Sequence, residues 1–277
     1  MKLHGKEENR IKPMELNELN EYFNQLSQSK VHFFKTIDST NTYAKKLLEQ
    51  ADNIFSLNKN IIIAESQTAG RGRLGRKFYS PAQTGIYLSI IYVPDEKITN
   101  PAKITAFSAV ALKRVIERLY KVNPKIKWIN DLYLNGKKIA GILTEGFVNY
   151  TSGTIDAAII GIGVNIQNNA EIPQDLAAIV GSICSNENSI TNTRFIFEIV
   201  NEFFKIMSEN SDDVISEYKE SSFILGTKIT VHSVIESTDG IYEATAIDID
   251  NEAKLIVKLA DGSTKALNSG EVSLHAE

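Results

Sequence analysis

Apolar residues are spaced in two different patterns along this chain of 277 residues. Unbroken apolar runs at residues 61–64 and 85–92 predict strands that are covered on both faces. Residues 102–120 instead have a helical spacing of alanine, valine and leucine, with no glycine or proline, which predicts a long core helix. The two patterns together predict a core built from both helices and a sheet.

The N-terminal part of the chain shows the same alternation on a smaller scale. Leucines at helical spacing in residues 14–29 predict one short helix, and residues 31–34 predict a strand. The cluster Asp-Ser-Thr-Asn at 38–41 then has the side chains that cap helix N-termini, ahead of a predicted helix at 43–50.

The middle of the chain predicts a run of sheet strands. An Asn135-Gly136 pair between apolar runs is a strong signal for a two-residue hairpin turn. We expect a mostly antiparallel meander. The predicted fold class is α+β, with a mixed, largely antiparallel sheet flanked by helices. Its predicted strands are 126–128, 131–134, 138–143 and 157–163.

The character of the sequence changes near Ser222. Residues 194–210 predict a helix, whereas the residues after Phe223 form short β-rich runs separated by Asp-Asn and Asp-Gly turns. Short strands at this spacing are typical of a small β-barrel. We therefore predict a catalytic domain at 1–222 and a C-terminal β-barrel domain at 223–277.

Composition narrows the class of protein. A net charge of −4 argues against a general nucleic-acid binder, and no apolar stretch is long enough to span a membrane. The single cysteine, Cys184, excludes an intrachain disulfide, and the polar N-terminal 30 residues do not resemble a signal peptide, which favours the cytoplasm. The four histidines, at positions 4, 32, 232 and 275, are too scattered in sequence to indicate a zinc site.

The most specific chemistry lies in residues 70–76, Gly-Arg-Gly-Arg-Leu-Gly-Arg, which we call the arginine loop. Arg71, Arg73 and Arg76 can each donate paired hydrogen bonds to phosphate or carboxylate, and the glycines leave backbone N–H groups accessible. The loop follows one predicted strand and precedes another, so a small anion is the expected ligand. A solvated basic turn or a nucleic-acid contact remains the alternative for the loop alone.

A second cluster follows downstream. Alternation along a strand sends Lys137 and Lys138 to opposite faces, and Lys138 precedes small residues that let a ligand approach the backbone. Asp131 could hold Mg²⁺ against phosphates or accept a proton, although Asn130-Asp131 is also ordinary turn material. The segment ending at Asn165 suggests close ligand approach or a strand bulge.

Taken in order, these segments resemble the biotin protein ligases over roughly residues 33–165. The resemblance implies a class II aminoacyl-tRNA synthetase-like catalytic fold with a small SH3-like C-terminal barrel. It also implies activation of biotin by ATP to biotinyl-5′-AMP and transfer of biotin to one lysine of a biotin carboxyl carrier domain. The motifs that carry the resemblance are Ser39-Thr40-Asn41, Gln67-Thr68-Ala69 with the arginine loop, Ser80-Pro81, Leu88-Ser89, Lys127-Trp128-Ile129-Asn130-Asp131, Lys138-Ile139-Ala140-Gly141-Ile142-Leu143 and Gly161-Ile162-Gly163-Val164-Asn165.

The resemblance also implies roles for individual residues. Catalysis would rest on Lys138, Arg73 and Asp131, with Asp131 as the candidate Mg²⁺ ligand, and the cationic groups would offset the repulsion between two anions. The biotin-binding set would be Ser39, Thr40, Asn41, Gln67, Gly70, Arg71, Gly72, Arg73, Lys138 and Gly141. The nucleotide-binding set would be Arg73, Arg76, Phe78, Trp128, Asn130, Asp131 and Asn165.

Several positions depart from the family pattern. Ile129 stands where a proline is usual, Leu74 replaces a frequent arginine, and Phe78 replaces a frequent tryptophan while keeping an aromatic wall. The short segment before the catalytic pattern leaves too little chain for a winged helix-turn-helix, so we expect no DNA binding and no repressor function. Edge strands of the meander would allow a homodimer.

Two rival functions remain to be separated. A lipoate–protein ligase or octanoyltransferase would have a related fold, but its Arg-Arg-x-x-Gly-Gly-Gly run and following His-Asp are absent from this sequence. A non-enzymatic RNA-binding module would need aromatic residues among basic ones, whereas the C-terminal region is rich in Asp and Glu. Binding of biotin against lipoate, and the salt dependence of RNA binding, discriminate these alternatives.

Overall fold

A computed structural model describes residues 14–24, 26, 29–149, 151–167, 172–183, 190–232, 240–268 and 270–274. Cys184, His4 and His275, which entered the sequence predictions, lie outside the described residues. Within those residues, no helix has both the length and the apolar character needed to cross a membrane. They also contain no group of three or more acidic, histidine or cysteine side chains arranged to hold a metal.

Helices and strands are mixed up to residue 221, and the regular elements of the described residues after it are all strands. In chain order they are α1 Leu16–Phe23, β1 Lys30–Ile37, α2 Thr40–Glu49, β2 Asn60–Gln67, β3 Gly85–Tyr92, α3 Pro101–Tyr120, β4 Lys125–Lys127, β5 Asp131–Leu134, β6 Lys137–Val148, β7 Ile155–Asn165, α4 Gln174–Ala177, α5 Asn192–Ile206, α6 Ser211–Ser221, β8 Lys228–His232, β9 Ile241–Ile249, β10 Leu255–Lys258, β11 Thr264–Leu267 and β12 Glu271–Leu274. Short 3₁₀ turns lie at Ile54–Leu57 and Arg73–Gly75.

The first seven strands form one sheet in the order β1-β2-β3-β7-β6-β5-β4. Strands β1 and β2 pair in parallel, and every other neighbouring pair is antiparallel. The predicted α+β class with a mixed, largely antiparallel sheet is therefore confirmed. The antiparallel arrangement matters for the site because it brings β3, β6 and β7 side by side in the middle of the sheet.

Both faces of this sheet are covered, which explains its unbroken apolar runs. On β2, Ile61 and Ile63 belong to the main core with α3 and α5, whereas Ile62 belongs to a smaller cluster with Ala44 and Leu48 of α2. Because neighbouring residues of a strand point to opposite faces, a strand between two helical layers needs apolar side chains at every position. Burial on both faces fixes the register of the central strands.

Local signals in the sequence set the ends of several elements. Ser39 caps α2, since its Oγ accepts a hydrogen bond from the backbone N–H of Thr42 at 3.4 Å. At the β5–β6 turn, Asn135 and Gly136 both have positive φ, 50° and 75°, as a two-residue hairpin turn requires. Helix α3 ends at Tyr120, where Lys121 adopts the left-handed conformation.

The C-terminal region forms a separate five-stranded antiparallel sheet in the order β11-β10-β9-β8-β12, consistent with a small SH3-like domain. The sequence predicted only three of these strands, and it missed α6, because the predicted helix at 194–210 ends at Ile206 and a second helix begins at Ser211. The boundary between domains 1–222 and 223–277 stays a prediction, and one continuous buried cluster includes residues of both parts, such as Ile126 and Val272.

Candidate active site

On the sheet face against which α2 packs, glycines leave one area of the central strands without side chains. We call this the glycine-cleared area. Gly141 of β6 lies opposite Gly163 of β7, and Gly161 lies opposite Ser89 of β3, so these positions share one face. Added Cβ atoms would collide with Asn41 at Gly161 and with Phe78 at Gly163. The glycines therefore let side chains from neighbouring segments lie directly on the backbone of the sheet.

The first turn of α2 enters this cleared area and is held there by polar contacts. Gln67 Oε1 accepts hydrogen bonds from the Thr40 backbone N–H at 2.9 Å and from Thr40 Oγ1 at 3.2 Å, while Gln67 Nε2 donates to Ser80 Oγ at 3.0 Å. Ser89 Oγ, which is fully buried, lies 2.7 Å from Thr40 Oγ1 and 2.6 Å from Asn41 Oδ1. These partners fix each amide and hydroxyl in one orientation.

The arginine loop closes over the same area. Its base is formed by a hydrogen bond from the Phe78 N–H to the Gly70 carbonyl at 2.9 Å, and its tip turns at Leu74 and Gly75, which have φ of 57° and 74°. Arg71 pairs with Glu145 of β6 at 2.9 Å. Arg73 reaches into the pocket.

Arg73 joins three parts of the chain that are far apart in sequence. Its Nη1 donates to Asn130 Oδ1 at 3.1 Å and its Nη2 donates to the Gly270 carbonyl at 3.0 Å. Gly270 precedes β12 of the C-terminal sheet, and Val272 of that strand also lines the pocket. The C-terminal sheet therefore contributes directly to the wall of the candidate site.

Lys138 and Asp131 form the ion pair of the pocket. The distance from Lys138 Nζ to Asp131 Oδ1 is 2.7 Å, and both side chains are mostly buried. This contact is a charge contact without hydrogen-bond geometry at Asp131 Oδ1. Lys137 points the other way and donates to the Ala177 carbonyl at 3.2 Å on the surface, as the alternation along β6 predicted.

The segment between β4 and β5 is supported from behind by buried donors. The indole N–H of Trp128 donates to the Ala253 carbonyl at 2.9 Å, and the Tyr218 hydroxyl on α6 donates to the Ile129 carbonyl at 3.0 Å. Burial raises the pKa of Tyr218 above its usual range, so the hydroxyl stays a donor. Asn130 Nδ2 donates to the Ile142 carbonyl at 3.0 Å, which leaves its Oδ1 for Arg73.

Phe78 forms an aromatic wall on the glycine-cleared sheet. Its ring packs against Gly141 and Gly163 and lies 6.4 Å from the ring of Tyr87, edge to face. Burial raises the pKa of Tyr87 to about 12, and its hydroxyl donates to the Pro81 carbonyl at 2.9 Å. Tyr87 is therefore a neutral support beneath Phe78.

These groups surround a cavity of about 160 Å³. Gly70 and Asn165 are the two predicted site residues that do not line it. Gly70 is buried at the base of the loop, where an added Cβ would meet the Phe78 carbonyl and Ser80, and Asn165 ends β7 opposite Gly85. The predicted residues that line the cavity are Ser39, Thr40, Asn41, Gln67, Arg71, Gly72, Arg73, Arg76, Phe78, Trp128, Asn130, Asp131, Lys138 and Gly141.

The charges that line the cavity are strongly unequal. Asp131 is the one carboxylate among the lining residues in the described part of the chain, against six cationic side chains. Such an excess favours anionic ligands, because a concave, partly buried site screens charge poorly. The six cationic side chains are Arg71, Arg73, Arg76, Lys77, Lys127 and Lys138.

The site also depends on residues that the sequence-based assignment did not include. Ser89 is a lone polar residue inside the apolar run of β3, and Glu145 is an acidic residue in the long strand β6. Leu88-Ser89 was among the motifs of the family resemblance, and a polar side chain at a position where the pattern predicts burial was a second signal for Ser89. Nothing in the sequence pairs Glu145 with Arg71 and Asn41, which are 74 and 104 positions away.

The fold is that of the biotin protein ligases. A biotin protein ligase from Aquifex aeolicus, solved in complex with biotin and ATP, superposes with a TM-score of 0.72 at 22% identity, covering 90% of this chain and 99% of that chain. Residues 33–165 match the model of the biotin/lipoate A/B protein ligase family. The model of the biotin protein ligase C terminal domain matches residues 234–275.

Curated relatives are similar over much of the chain. The bifunctional ligase/repressor BirA of Bacillus spizizenii is 30% identical over 220 residues, which is 77% of this chain and 66% of that protein. The biotin–[acetyl-CoA-carboxylase] ligase of Mycobacterium tuberculosis is 26% identical over 235 residues, 82% of this chain and 83% of that protein. The match with the Bacillus spizizenii protein therefore spans just under two thirds of that protein's length.

Proposed function

We propose that this chain is a biotin protein ligase that activates biotin with ATP to biotinyl-5′-AMP and transfers biotin to a lysine of a biotin carboxyl carrier domain. The observation that carries the proposal is the convergence of Lys138, Arg73 and Asp131 around a glycine-cleared, cation-rich cavity. The C-terminal domain match and the names of the relatives favour biotin over lipoate as the acid.

In the first step, a carboxylate oxygen of biotin attacks the α-phosphorus of ATP and pyrophosphate leaves. Two anions approach each other in this step, and charge accumulates on the phosphate oxygens in the transition state. Lys138 and Arg73 supply the compensating positive charge. Exchange of the Asp131 carboxylate for ligand oxygens would redirect Lys138 toward the reacting groups without moving its strand.

In the second step, the amine of the acceptor lysine attacks the acyl carbon of the adenylate, and AMP leaves. The attacking nitrogen must lose a proton as the amide bond forms, and Asp131 is the nearby carboxylate that can receive it. Phe78 and the arginine loop would cover the mixed anhydride and keep water away from it.

Mg²⁺ fits one position of this site. Mg²⁺ in nucleotide sites is held by one or two carboxylates together with substrate phosphates and water. Asp131 Oδ1 pairs with Lys138 Nζ at 2.7 Å and accepts no further hydrogen bond, so once Lys138 turned to the ligand this oxygen would be available as a Mg²⁺ ligand. Bound Mg²⁺ would screen the negative charge of the phosphates, while Asp131 holds it on the pocket wall.

The experiment that tests the proposed function is pyrophosphate release by the purified chain with ATP, in separate reactions with biotin, with lipoate and without acid. Release that depends on biotin alone is the expected result. Release that depends on lipoate instead would assign the chain to the other branch of the family. A folded chain that releases no pyrophosphate with either acid would refute the ligase proposal.

Three narrower expectations stay predictions. We expect no DNA binding, which a mobility-shift assay with double-stranded DNA fragments checks. We expect a cytoplasmic protein, which fractionation of cells checks. A homodimer through edge strands of the sheet is checked by light scattering with and without biotin and ATP.

A further inference from the structure

We propose that Glu145 is a positioning residue for adenylate formation, which locks Asn41 and Arg71 in one geometry. This inference rests on the proposed function for its kinetic consequences, but the contacts stand independently of it. Neither the family resemblance nor the lining of the cavity assigns a role to Glu145. Its importance follows from the two partners that its carboxylate oxygens take.

The two oxygens of Glu145 face different segments. Oε1 lies 2.9 Å from Arg71 Nη2 at the start of the arginine loop, and Oε2 accepts a hydrogen bond from Asn41 Nδ2 at 2.7 Å in the first turn of α2. Glu145 itself is on β6, opposite Ile159 of β7 and beyond the part of β6 that pairs with β5. One carboxylate therefore connects both the first turn of α2 and the arginine loop to strand β6.

The contact with Glu145 also determines which way the Asn41 amide points. Asn41 Nδ2 faces Glu145 and the Leu143 carbonyl, which are both acceptors, while Asn41 Oδ1 accepts from Ser89 Oγ. Asn41 is almost fully buried, so an inverted amide would place its oxygen against two acceptors. Ser89 and Glu145 thus act together to hold a polar ligand-facing residue in one orientation.

A carboxylate beside an anion-binding pocket is unfavourable unless it is neutralised. Arg71 provides that neutralisation for Glu145, whereas Arg73 donates into the pocket, to Asn130 and to the Gly270 carbonyl. The two arginines therefore have different tasks. Arg71 anchors the base of the loop, and Arg73 is the arginine that meets the substrates.

The test compares Glu145→Gln, Arg71→Gln and the double variant in biotin-dependent pyrophosphate release. We expect each single variant to raise the KM for biotin by about tenfold, the scale of one charge-assisted hydrogen bond, and to change kcat less than about twofold. Because either single variant already breaks the Glu145–Arg71 pair, the KM of the double variant should equal the higher of the two single-variant KM values and not reach the multiplied effect.

Glu198→Gln is the matched control. Glu198 pairs with Arg118 at 2.9 Å, and the two side chains are 23% and 44% exposed, against 28% and 46% for Glu145 and Arg71. The control removes an equivalent ion pair from a helix surface away from the pocket. It should leave the KM for biotin unchanged, which separates positioning from a general loss of surface charge pairs.

A second readout does not require activity. Trypsin cleavage after Arg73 and Arg76 in the ligand-free chain should be severalfold faster in Glu145→Gln than in the wild type or in Glu198→Gln. Unchanged cleavage together with multiplicative KM effects would refute the positioning role, as would a lower KM in Glu145→Gln. If the wild type releases no pyrophosphate but the cleavage result holds, the proposed function fails and the anchoring role survives.

Discussion

Two groups of charged side chains in this molecule, one between helices and one in the pocket, differ in their balance of positive and negative charge. We call the first the helix charge cluster. In the cluster, which comprises Arg114, Arg118, Glu198, Glu202, Glu209 and Glu217, one arginine meets three carboxylates: Arg114 lies 2.6 Å from Glu217, 2.9 Å from Glu209 and 3.3 Å from Glu202. Among the described residues, six cationic side chains line the cavity with one lining carboxylate, and Glu145 pairs with Arg71 from outside the lining. The cluster has its counter-charges built in, whereas the pocket has an excess of positive charge.

This difference separates a structural use of charge from a ligand-binding one. Hydrogen bonds to Glu217 and Glu209 raise the pKa of Arg114, so the guanidinium stays charged and ties α3 to α5 and α6. An excess of cations in a cavity is unfavourable in the empty protein and becomes favourable when an anion enters. We therefore expect substitutions in the cluster to change stability, and substitutions in the pocket to change catalysis.

The largest effect is expected for Lys138→Ala. Removing a cation aimed at a developing negative charge should lower kcat/KM for adenylate formation by about 10²- to 10³-fold, or roughly 3–4 kcal/mol. The melting temperature should fall less than in Arg114→Met, because relief of repulsion between pocket cations offsets part of the loss of the Lys138–Asp131 pair. Pyrophosphate kinetics and thermal unfolding check the two halves. A folded variant with normal kinetics would contradict the comparison.

Arg114→Met should give the reverse result. Loss of the cation leaves three carboxylates near one another, and Glu202 is almost fully buried. We expect a loss of about 2–3 kcal/mol in the free energy of unfolding, below the value for a fully buried pair because Arg114 is partly exposed. Chemical denaturation measures this loss. An increase in the KM for biotin larger than about twofold in the same variant would contradict the separation of roles.

The ion pair of Asp156 with Lys97 belongs to neither group. We expect it to contribute less to stability than Arg114 does, and its contribution depends on pH. Hydrogen bonds from Lys97, Thr154 and Asn149 lower the pKa of Asp156 from 3.8 to about 2. The folded chain therefore favours the carboxylate, so its stabilisation is present above pH 3.8 and is lost as the pH falls toward 2. Asp156→Asn should cost about 1 kcal/mol at pH 7, discounted because Lys97 is exposed.

The measurement for Asp156 is the difference in melting temperature between the variant and the wild type from pH 7 down to pH 2. We expect the difference to shrink between about pH 4 and pH 2, the interval set by the two pKa values. A constant difference would mean that packing, rather than charge, accounts for the effect. The same titration applied to Lys97→Met should give a smaller difference over the same pH interval, because Thr154 and Asn149 still donate to Asp156.

The sequence predicted the central fold because its strongest patterns coincide with strong physical constraints. Burial on both faces produces the apolar runs of β2 and β3, and the hairpin at Asn135 needs two residues with positive φ. Helix α6 escaped prediction because its exposed face is polar and it follows α5 after only four residues, Met207–Asn210. A boundary between two consecutive helices has little hydrophobic signature.

The sequence predicted many of the residues that line the cavity, but it did not predict the contacts between them. Motif order brought Lys138, Asp131 and Arg73 together, whereas the contact of Arg73 with Gly270 joins residues that are 197 positions apart. Asn165 was expected at the nucleotide and lies outside the cavity lining, because β7 carries it beyond Gly163 toward the end of the strand. Long-range contacts depend on the fold as a whole and leave no local pattern.

Trp128 gives the molecule an optical probe of its own. It is the only tryptophan in the chain, it lines the cavity, and its indole N–H is bonded to the Ala253 carbonyl of the C-terminal region. Tryptophan emission depends on the polarity and hydrogen bonding around the indole, so a single fluorophore reports on both the cavity and the seating of the C-terminal sheet. Ligand titrations and stopped-flow traces can therefore follow the unmodified protein without a label.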